Sequence, residues 1–300
     1  MKVAVTGSHG LIGRSLLGEL RRNGHEVLRV VRAPEGDAAV RFDPGAGTID
    51  AERLSGIEAL VHLAGAGIGD RRWSPAHKRA VLSSRTEGTT LIAETLARLD
   101  PRPRVLLSAS AIGYYGDRDD ELLGEEASSG SGFLADVCRQ WEQATSAAEA
   151  AGIRTVHLRT GIVQAREGGA LAKQLPIFSL GLGGRLGSGR QWVSWISLAD
   201  EVAAIVHLLG AETVSGPVNL VGPAAVTNAE YTATLARVLG RRALLAVPRP
   251  VLGLALGPEM AAELLLASQR VEPRVLSRSG FEWQHPTLEQ ALRAALDKSP

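Results

Sequence analysis

A glycine-rich loop close to the first residue constrains the fold of this chain more than any other feature. A short run of β-branched and small residues leads into it, and a helical pattern begins within it. Its residues are Gly7, Ser8, His9, Gly10, Leu11, Ile12 and Gly13. Gly7 permits the tight turn out of the strand, Gly10 lets a pyrophosphate approach the backbone, and Gly13 lets the helix pack closely. Because a helix N-terminus presents free N–H groups to anions, this glycine loop predicts dinucleotide binding, with a plain glycine-rich turn as the alternative.

The composition and charge of the chain argue against several classes of protein. Of its 300 residues, 45% are hydrophobic and 22% are charged, and the net charge is +1 without any basic run, so we expect no nucleic-acid partner. The single cysteine, Cys138, permits no internal disulfide and favours a reducing compartment. We see no signal peptide, and no apolar run approaches the ~20 residues of a membrane span. We therefore expect a cytoplasmic protein with no membrane partner.

Strand and helix patterns alternate along the first 160 residues. The predicted strands are 3–6, 25–31, 40–43, 59–63, 105–107 and 154–158, and the predicted helices are 11–22, 75–98 and 133–151. This alternation implies right-handed crossovers and an α/β fold with a Rossmann-like, doubly wound parallel sheet. Ligands of such sheets bind beyond the carboxyl ends of the strands. The residues predicted at those ends are Gly7, Arg32, Gly65, Ser110 and Arg159.

The alternation becomes irregular after Gly161, which indicates a second lobe. We expect a dinucleotide-binding, Rossmann-like domain from residues 1–165, which also receives residues from about 190 to 222. A smaller C-terminal, substrate-side lobe then consists of residues 166–189 and 223–300.

The residue at the end of the second predicted strand indicates the choice of cofactor. NAD-specific Rossmann folds have a carboxylate there, which binds the ribose hydroxyls. Here the strand ends in Arg32, and no carboxylate follows before Glu35. A guanidinium can bind a 2′-phosphate with two charge-assisted hydrogen bonds, and His9 can add another contact. The sequence therefore predicts NADP(H), with a solvated arginine at a strand end as the alternative.

Three further motifs follow predicted strands. They are His62-Leu63-Ala64-Gly65, the stretch from Ser108 to Gly116, and Leu158-Arg159-Thr160-Gly161. Together with the glycine loop they resemble the extended short-chain dehydrogenase/reductase superfamily, which contains the sugar-nucleotide epimerases. The stretch from Ser108 to Gly116 resembles the strand that carries the catalytic serine of that superfamily.

A closer resemblance is to the branch of this superfamily called epimerase family proteins. It rests on Tyr114-Tyr115-Gly116, on residues 189–196, and on a C-terminal block from Ser268 to Phe281. It covers nearly the whole chain and implies a Rossmann-like fold and NADP(H), but no known substrate. Arg85 stands where many relatives have a helix asparagine. The candidate cofactor-binding residues are then the glycine loop together with Arg32, His62, Leu63, Ala64, Gly65, Arg85, Ser108 and Arg159.

The chain departs from the superfamily at the usual catalytic pair, a Tyr-x-x-x-Lys on the helix after the serine strand. In that pair the tyrosine is the acid or base, and the lysine lowers its pKa and holds the nicotinamide ribose. If Glu142 corresponds to a glutamate common in the superfamily, Leu134 and Cys138 occupy the two positions. Neither can do that chemistry, and no other Tyr-x-x-x-Lys occurs in the chain.

The remaining catalytic candidates are few. Ser110 has the residue type to hydrogen-bond a substrate carbonyl, and the alternative is a serine that satisfies a local turn. Tyr114 or Tyr115 could donate a proton in place of the missing tyrosine, or both could be packing aromatics. We interpret Cys138 as a small buried apolar residue and the ring of His62 as a hydrogen-bonded core histidine. The histidines show no metal-ligand spacing, so we predict no metal.

Three functions remain open on the sequence alone. The first is an NADP(H)-dependent oxidoreductase that acts on a small carbonyl or alcohol, its small-molecule substrate. The second is a cofactor-dependent sensor or scaffold that has lost catalysis, which the missing Tyr-x-x-x-Lys favours. The third, a sugar-nucleotide epimerase, rests on superfamily analogy alone. The sequence leaves open whether the chain forms a homodimer.

Overall fold

The chain divides into two compact units in the computed structural model, which describes residues 1–33 and 39–297. Unit 1 consists of Met1–Ser110, Val137–Leu158 and Val202–Val218, and unit 2 of Ala111–Asp136, Arg159–Glu201 and the chain from Asn219 onward. The two units are of similar length. This division differs from the predicted one because 111–136, 159–165, 190–201 and 219–222 belong to unit 2. In that unit the first two of these ranges contain short strands that pair with segments from later in the chain.

The strands and helices alternate regularly in the first part of the chain and are short and irregular later. The strands are β1 Lys2–Thr6, β2 Glu26–Val31, β3 Ala39–Asp43, β4 Thr48–Ile49, β5 Ala59–His62, β6 Val105–Ala111, β7 Leu122–Leu123, β8 Arg154–Thr160, β9 Ile162–Gln164, β10 Gly184–Leu186, β11 Trp192–Val193, β12 Trp195–Ser197, β13 Gly216–Leu220, β14 Val226–Thr227, β15 Leu245–Val247 and β16 Arg270–Val271. The α-helices are α1 Leu11–Arg22, α2 Pro75–Arg98, α3 Phe133–Gln143, α4 Ser146–Ala150, α5 Gly169–Ser179, α6 Leu198–Gly210, α7 Asn228–Leu239, α8 Arg249–Leu256, α9 Pro258–Ala261, α10 Arg274–Arg278 and α11 Leu288–Ala295. Short 3-10 helices cover Pro44–Ala46, Glu52–Leu54 and Ile112–Tyr115, and a π-helical turn covers Ala262–Leu266. Within the described residues, none of the helices has the length and apolar character needed to cross a membrane.

An eight-stranded sheet forms the centre of unit 1, in the order β13-β8-β6-β5-β1-β2-β3-β4. Strand β1 pairs in parallel with β2 and β5, β5 with β6, and β2 with β3, whereas β4 is antiparallel to β3. Strands β1 and β5 are buried along almost their whole length, as expected for strands covered on both faces. The predicted α/β fold with a Rossmann-like, mostly parallel sheet is confirmed.

The helices of unit 1 follow local sequence signals closely, with one exception. Helix α2 begins at Pro75 because the Ser74 hydroxyl accepts the N–H of His77 and proline suits the first helical position. Its apolar face packs on the sheet in a cluster that includes Ile92 of α2 and Leu60 of β5. The single helix predicted over 133–151 is instead two helices, α3 and α4. The turn tightens between them, and the Thr145 hydroxyl donates to the Glu142 carbonyl.

Unit 2 is built from short two-stranded sheets and a helical core. Its strand pairs are β7 with β16, β9 with β12, β10 with β15, and β11 with β14. The fully buried Trp195 centres a cluster formed with residues of α5, α7 and α11. Helices α7 and α11 each begin with a capping box, formed by Thr227 with Glu230 and by Thr287 with Gln290.

Candidate functional site

The three positions of the glycine loop require or favour glycine for different structural reasons. Gly7 has a φ of +64°, and a Cβ there would lie 2.6 Å from the carbonyl carbon of Leu63. A Cβ on Gly13 would lie 2.3 Å from the Gly7 oxygen. A Cβ on Gly10 would meet only that same oxygen, at 3.2 Å. Gly7 and Gly13 are therefore required by packing, whereas the glycine at position 10 keeps one side of the loop open.

At the N-terminus of α1, next to the open side of the loop, neither a side-chain cap nor an acidic residue of the first turn occupies the free N–H groups. Gly10 is the N-cap and provides no side-chain cap, and the first turn contains no acidic residue. The first N–H groups of a helix have no intrahelical acceptor, and they carry about half a positive charge together. Leu11 and Ile12 supply two of these groups and are half-buried. The backbone from Gly10 onward thus forms a cradle that fits the pyrophosphate of a dinucleotide.

Positive charge lies next to this cradle at strand β2. Arg29 is paired in register with Val5 of β1, and its Nε donates to the Ser8 hydroxyl at 3.3 Å. Its Nη2 also contacts Nε2 of His9. Arg32 follows the end of β2 and is exposed, while Glu35 lies outside the described residues. Arg29 is not among the predicted site residues, although a charged residue between Leu28 and Val30 in a mostly apolar strand is a signal.

The end of strand β5 is fixed by a hydrogen-bond network around Thr6. Its hydroxyl oxygen accepts the N–H groups of Leu63 at 3.0 Å and Ala64 at 3.2 Å. Its hydrogen therefore points to Nδ1 of His62, 2.8 Å away, so the imidazole is neutral with its own hydrogen on Nε2. Burial lowers the pKa of His62 to about 4. The ring is a core histidine, and any cofactor contact at this position would come from the backbone.

Arg85 of α2 contacts the loop that follows β5 and donates a hydrogen bond to it. This side chain is only 7% exposed, and its Nη1 donates to the carbonyls of Ala66 at 2.9 Å and Val81 at 3.1 Å. Its Cζ lies 3.3 Å from the position of a Cβ on Gly65, and the guanidinium lies over the Trp141 ring, 4.8 Å from its centroid. A Cβ at this position would require the guanidinium to shift by a few tenths of an ångström. The predicted contact of Arg85 with a cofactor stays a prediction.

The two serines of strand β6 differ in their partners. The Ser110 hydroxyl donates to Oε1 of Glu142 at 2.7 Å, so its hydrogen is held by a carboxylate. Ser108 is buried opposite His62 in the sheet, and its hydroxyl has no partner among the described residues. Glu142 is an unpredicted partner of Ser110, because 32 residues separate the two in sequence.

The helix that carries Glu142 also carries Leu134 and Cys138, the residues predicted at the usual catalytic positions. Cys138 and Leu134 lie one and two turns before Glu142 on α3, on the same side of that helix by the spacing of four residues. Both are buried, at 8% and 4% exposure. The leucine side chain cannot act as an acid, and the cysteine side chain cannot supply a positive charge.

The predicted residues Tyr114, Tyr115 and Arg159 lie together in unit 2. The Arg159 guanidinium lies over the Tyr114 ring, 3.5 Å from its centroid. It also donates to the Tyr115 hydroxyl at 3.0 Å and to the Glu125 carbonyl at 3.2 Å. The Tyr115 hydroxyl donates in turn to Oδ1 of Asn219 at 2.7 Å, and burial raises the pKa of Tyr115 to about 12. Tyr115 is thus a poor proton donor, and the cofactor contact of Arg159 stays a prediction.

Unit 2 also contains a polar cavity of about 610 Å³ that the sequence motifs do not predict as a site. Two of its lining aspartates are held in place: Asp117 accepts the N–H of Ser268, and Asp120 accepts the indole N–H of Trp192. Arg190 and Arg249 line it as exposed cations without a carboxylate partner in the described part of the chain. Asp119 lines the cavity as well, so its charged lining includes three carboxylates and two guanidinium groups and suits a polar small molecule.

Two family sequence models match the chain. The model of the NAD dependent epimerase/dehydratase family matches residues 3–222. The chain belongs to this family. A domain of unknown function, DUF1731, matches residues 247–295 and contains the C-terminal block. The predicted membership of the epimerase family protein branch is confirmed.

Relatives from bacteria and animals align over nearly the whole chain. An epimerase family protein of Mycobacterium bovis is 45% identical over 291 residues, which are 97% of this chain and 96% of that protein. The human epimerase family protein SDR39U1 is 34% identical and aligns with 98% of this chain and 99% of its own length.

Solved structures of family members have the same fold. A crystal structure of human SDR39U1 with NADPH has a TM-score of 0.90 at 33% identity and covers 99% of both chains. The nucleoside-diphosphate sugar epimerase from Corynebacterium glutamicum has a TM-score of 0.82 at 36% identity. It covers 99% of this chain and 58% of that longer one.

Proposed function

We propose that this protein binds NADP(H) in unit 1. The observation that carries the proposal is the open side of Gly10 beneath the uncapped N-terminus of α1, where no acidic residue competes with a phosphate. The pyrophosphate lies in this cradle, and the 2′-phosphate lies against Arg29 and Arg32. Binding of NADPH by the human relative supports the choice of cofactor.

We propose further that the protein is an oxidoreductase for a small carbonyl or alcohol. The bound cofactor supplies or accepts the hydride. Ser110 and Glu142 move the proton, because the Ser110 hydroxyl already donates to the carboxylate. In alcohol oxidation, the substrate proton passes to the Ser110 oxygen as the serine hydrogen passes to Glu142; reduction runs the same transfers in reverse. This pair takes the place of the missing Tyr-x-x-x-Lys.

The test compares the parent with Ser110→Ala and Glu142→Gln on a panel of small aldehydes and ketones, with NADPH oxidation followed by absorbance. Losing the interaction with the reacting oxygen costs about a hundredfold in rate, which is the expected effect of Ser110→Ala. Glu142→Gln retains an acceptor for Ser110 but cannot carry the proton. The rate of this variant should therefore fall well below that of the parent. A Ser110→Ala protein that turns over at the parental rate removes this pair from the mechanism.

A second candidate is a cofactor-dependent sensor or scaffold without catalysis. The burial of Leu134 and Cys138, together with the high pKa of Tyr115, favours it, because the usual routes for a proton are absent. The two candidates differ in one measurement. A parent protein that binds NADPH but never oxidises it with any carbonyl of the panel is a sensor or scaffold.

A further inference from the structure

Unit 1 contains a buried cation without a counter-ion. Arg85 is 7% exposed, and no carboxylate of the described residues pairs with it. Only Nη1 is hydrogen-bonded; Nε is enclosed without an acceptor, and Nη2 donates to none within residues 1–33 and 39–297. A buried charge is costly unless it is fully paired. The two carbonyl bonds of Nη1 do not account for a guanidinium at this position.

Helix α3 lies beside the Arg85 side chain, which belongs to α2. Burial lowers the pKa of Arg85, and an electrostatic interaction with Cys138 partly offsets that shift. Trp141, one turn further along α3, lies under the guanidinium. If Glu142 corresponds to the superfamily's glutamate, the superfamily's lysine falls at position 138, and many relatives have an asparagine at position 85. In this chain the residue at 138 is a cysteine and the cation is at position 85.

The guanidinium also lies close to the nucleotide cradle. It contacts the loop at Gly65 and Ala66, which directly follows Leu63 and Ala64. Those two residues touch Gly7: a Cβ there would lie 2.6 Å from the Leu63 carbonyl carbon and 2.9 Å from the Ala64 nitrogen. The loop from Leu63 to Ala66 is therefore the one segment that separates the unpaired N–H groups of Arg85 from the backbone of the glycine loop.

We propose that Arg85 supplies from α2 the positive charge that the superfamily's lysine supplies from α3, and that its unpaired N–H groups bind the nicotinamide ribose of NADP(H). The proposal rests on the NADP(H) binding proposed above. It makes Arg85 a residue for the nicotinamide half of the cofactor, whereas Arg29 and Arg32 serve the adenosine half.

The experiment uses two ligands and measures binding, not turnover. Calorimetry with NADPH reports the whole cofactor, and calorimetry with 2′,5′-ADP reports the adenosine half alone. Arg85→Asn should weaken NADPH about tenfold or more and leave 2′,5′-ADP within about twofold. The double variant Arg85→Asn/Cys138→Lys should regain most of the lost NADPH affinity. Arg79→Asn, at an exposed arginine of the same helix, is the matched control and should change neither affinity.

The possible failures are distinguishable. A parent that binds neither ligand overturns the proposed function itself. A parent that binds both, with an Arg85→Asn variant that binds NADPH equally well, overturns only the role of Arg85. Equal weakening of both ligands together with a lower melting temperature makes Arg85 a support of the loop and also overturns the proposal. If the double variant binds NADPH no more tightly than Arg85→Asn does, then Arg85 does not supply the positive charge in place of the superfamily's lysine, and the proposal is overturned.

Discussion

Replacing Gly10 with alanine should remove dinucleotide binding while the protein stays folded. Gly10 has φ −71° and ψ 173°, a conformation that alanine adopts without strain. The new Cβ would meet only the Gly7 oxygen, at 3.2 Å, which requires a shift of a few tenths of an ångström. The lower entropy of the unfolded chain offsets part of that cost, so stability should change by less than about 1 kcal/mol.

The effect on binding should be much larger than the effect on stability. The methyl group would occupy the open side of the loop and hold a pyrophosphate away from the N–H groups at the start of α1. Losing two charge-assisted hydrogen bonds, at about 1.5–3 kcal/mol each, lowers the affinity by about 10²–10⁴-fold. Calorimetric titration with NADPH measures this loss, and chemical denaturation measures the stability of the same variant.

Two other glycines near the loop provide matched controls. Gly18 is exposed in the middle of α1, and a Cβ there has no neighbour within 4 Å. Gly18→Ala should therefore stabilise the protein by up to about 1 kcal/mol and leave the affinity unchanged. Gly13→Ala places a Cβ 2.3 Å from a backbone oxygen and should destabilise the fold. The reasoning is refuted if Gly10→Ala binds NADPH like the parent, or if it unfolds like Gly13→Ala.

Three further predictions concern single side chains. Arg32→Ala should cost NADPH about 1.5–3 kcal/mol of binding free energy and leave NADH unchanged in parallel titrations, because the guanidinium pairs only with the 2′-phosphate. Tyr115→Phe leaves the buried Oδ1 of Asn219 without its donor, while Arg159 keeps its bond to the Glu125 carbonyl, so in denaturant titrations it should destabilise the protein by about 1–3 kcal/mol, whereas Tyr114→Phe should cost under about 0.5 kcal/mol. Burial raises the pKa of Glu201 from 4.5 to about 8, so the folded protein binds this proton more tightly than the unfolded chain does, and the free energy of unfolding should fall as the pH rises from about 4.5 to 8. Glu201→Gln should remove that part of the fall.

Each of these has an outcome that contradicts it. Equal losses for NADPH and NADH would show that Arg32 does not contact the 2′-phosphate. Equal destabilisation by Tyr115→Phe and Tyr114→Phe would mean that the buried hydroxyl network contributes nothing. An unchanged pH dependence in Glu201→Gln would mean that the carboxyl at this position does not titrate between those pH values.

Local signals predicted much of the fold. Helices α1 and α2 begin and end where the sequence pattern indicates, because their ends depend on neighbours in sequence such as Ser74 and Pro75. The parallel sheet followed from apolar strands that alternate with helices. The break between α3 and α4 was not predicted, because it depends on how Thr145 satisfies the backbone in the folded chain.

The candidate site was predicted only where its residues share one motif. The glycine loop is such a motif, and its geometry agrees with the task assigned to each glycine. Arg29 reaches Ser8 only through the register of two strands, and Ser110 meets Glu142 across 32 residues. The pairing of β7 with β16, which places residues 111–136 in unit 2, spans about half the chain. Such long-range pairs depend on tertiary packing, which no local pattern encodes.

Titration of the parent protein with NADPH and with NADH tests the central claim most directly. The cradle at Gly10 binds the pyrophosphate of either cofactor, whereas only NADPH has the 2′-phosphate that Arg29 and Arg32 can bind. We predict saturable binding of one NADPH per chain, at least about tenfold tighter than NADH at moderate ionic strength. Equal affinities would contradict the role of the two arginines, and no binding of either cofactor would contradict the account of unit 1 as a dinucleotide site.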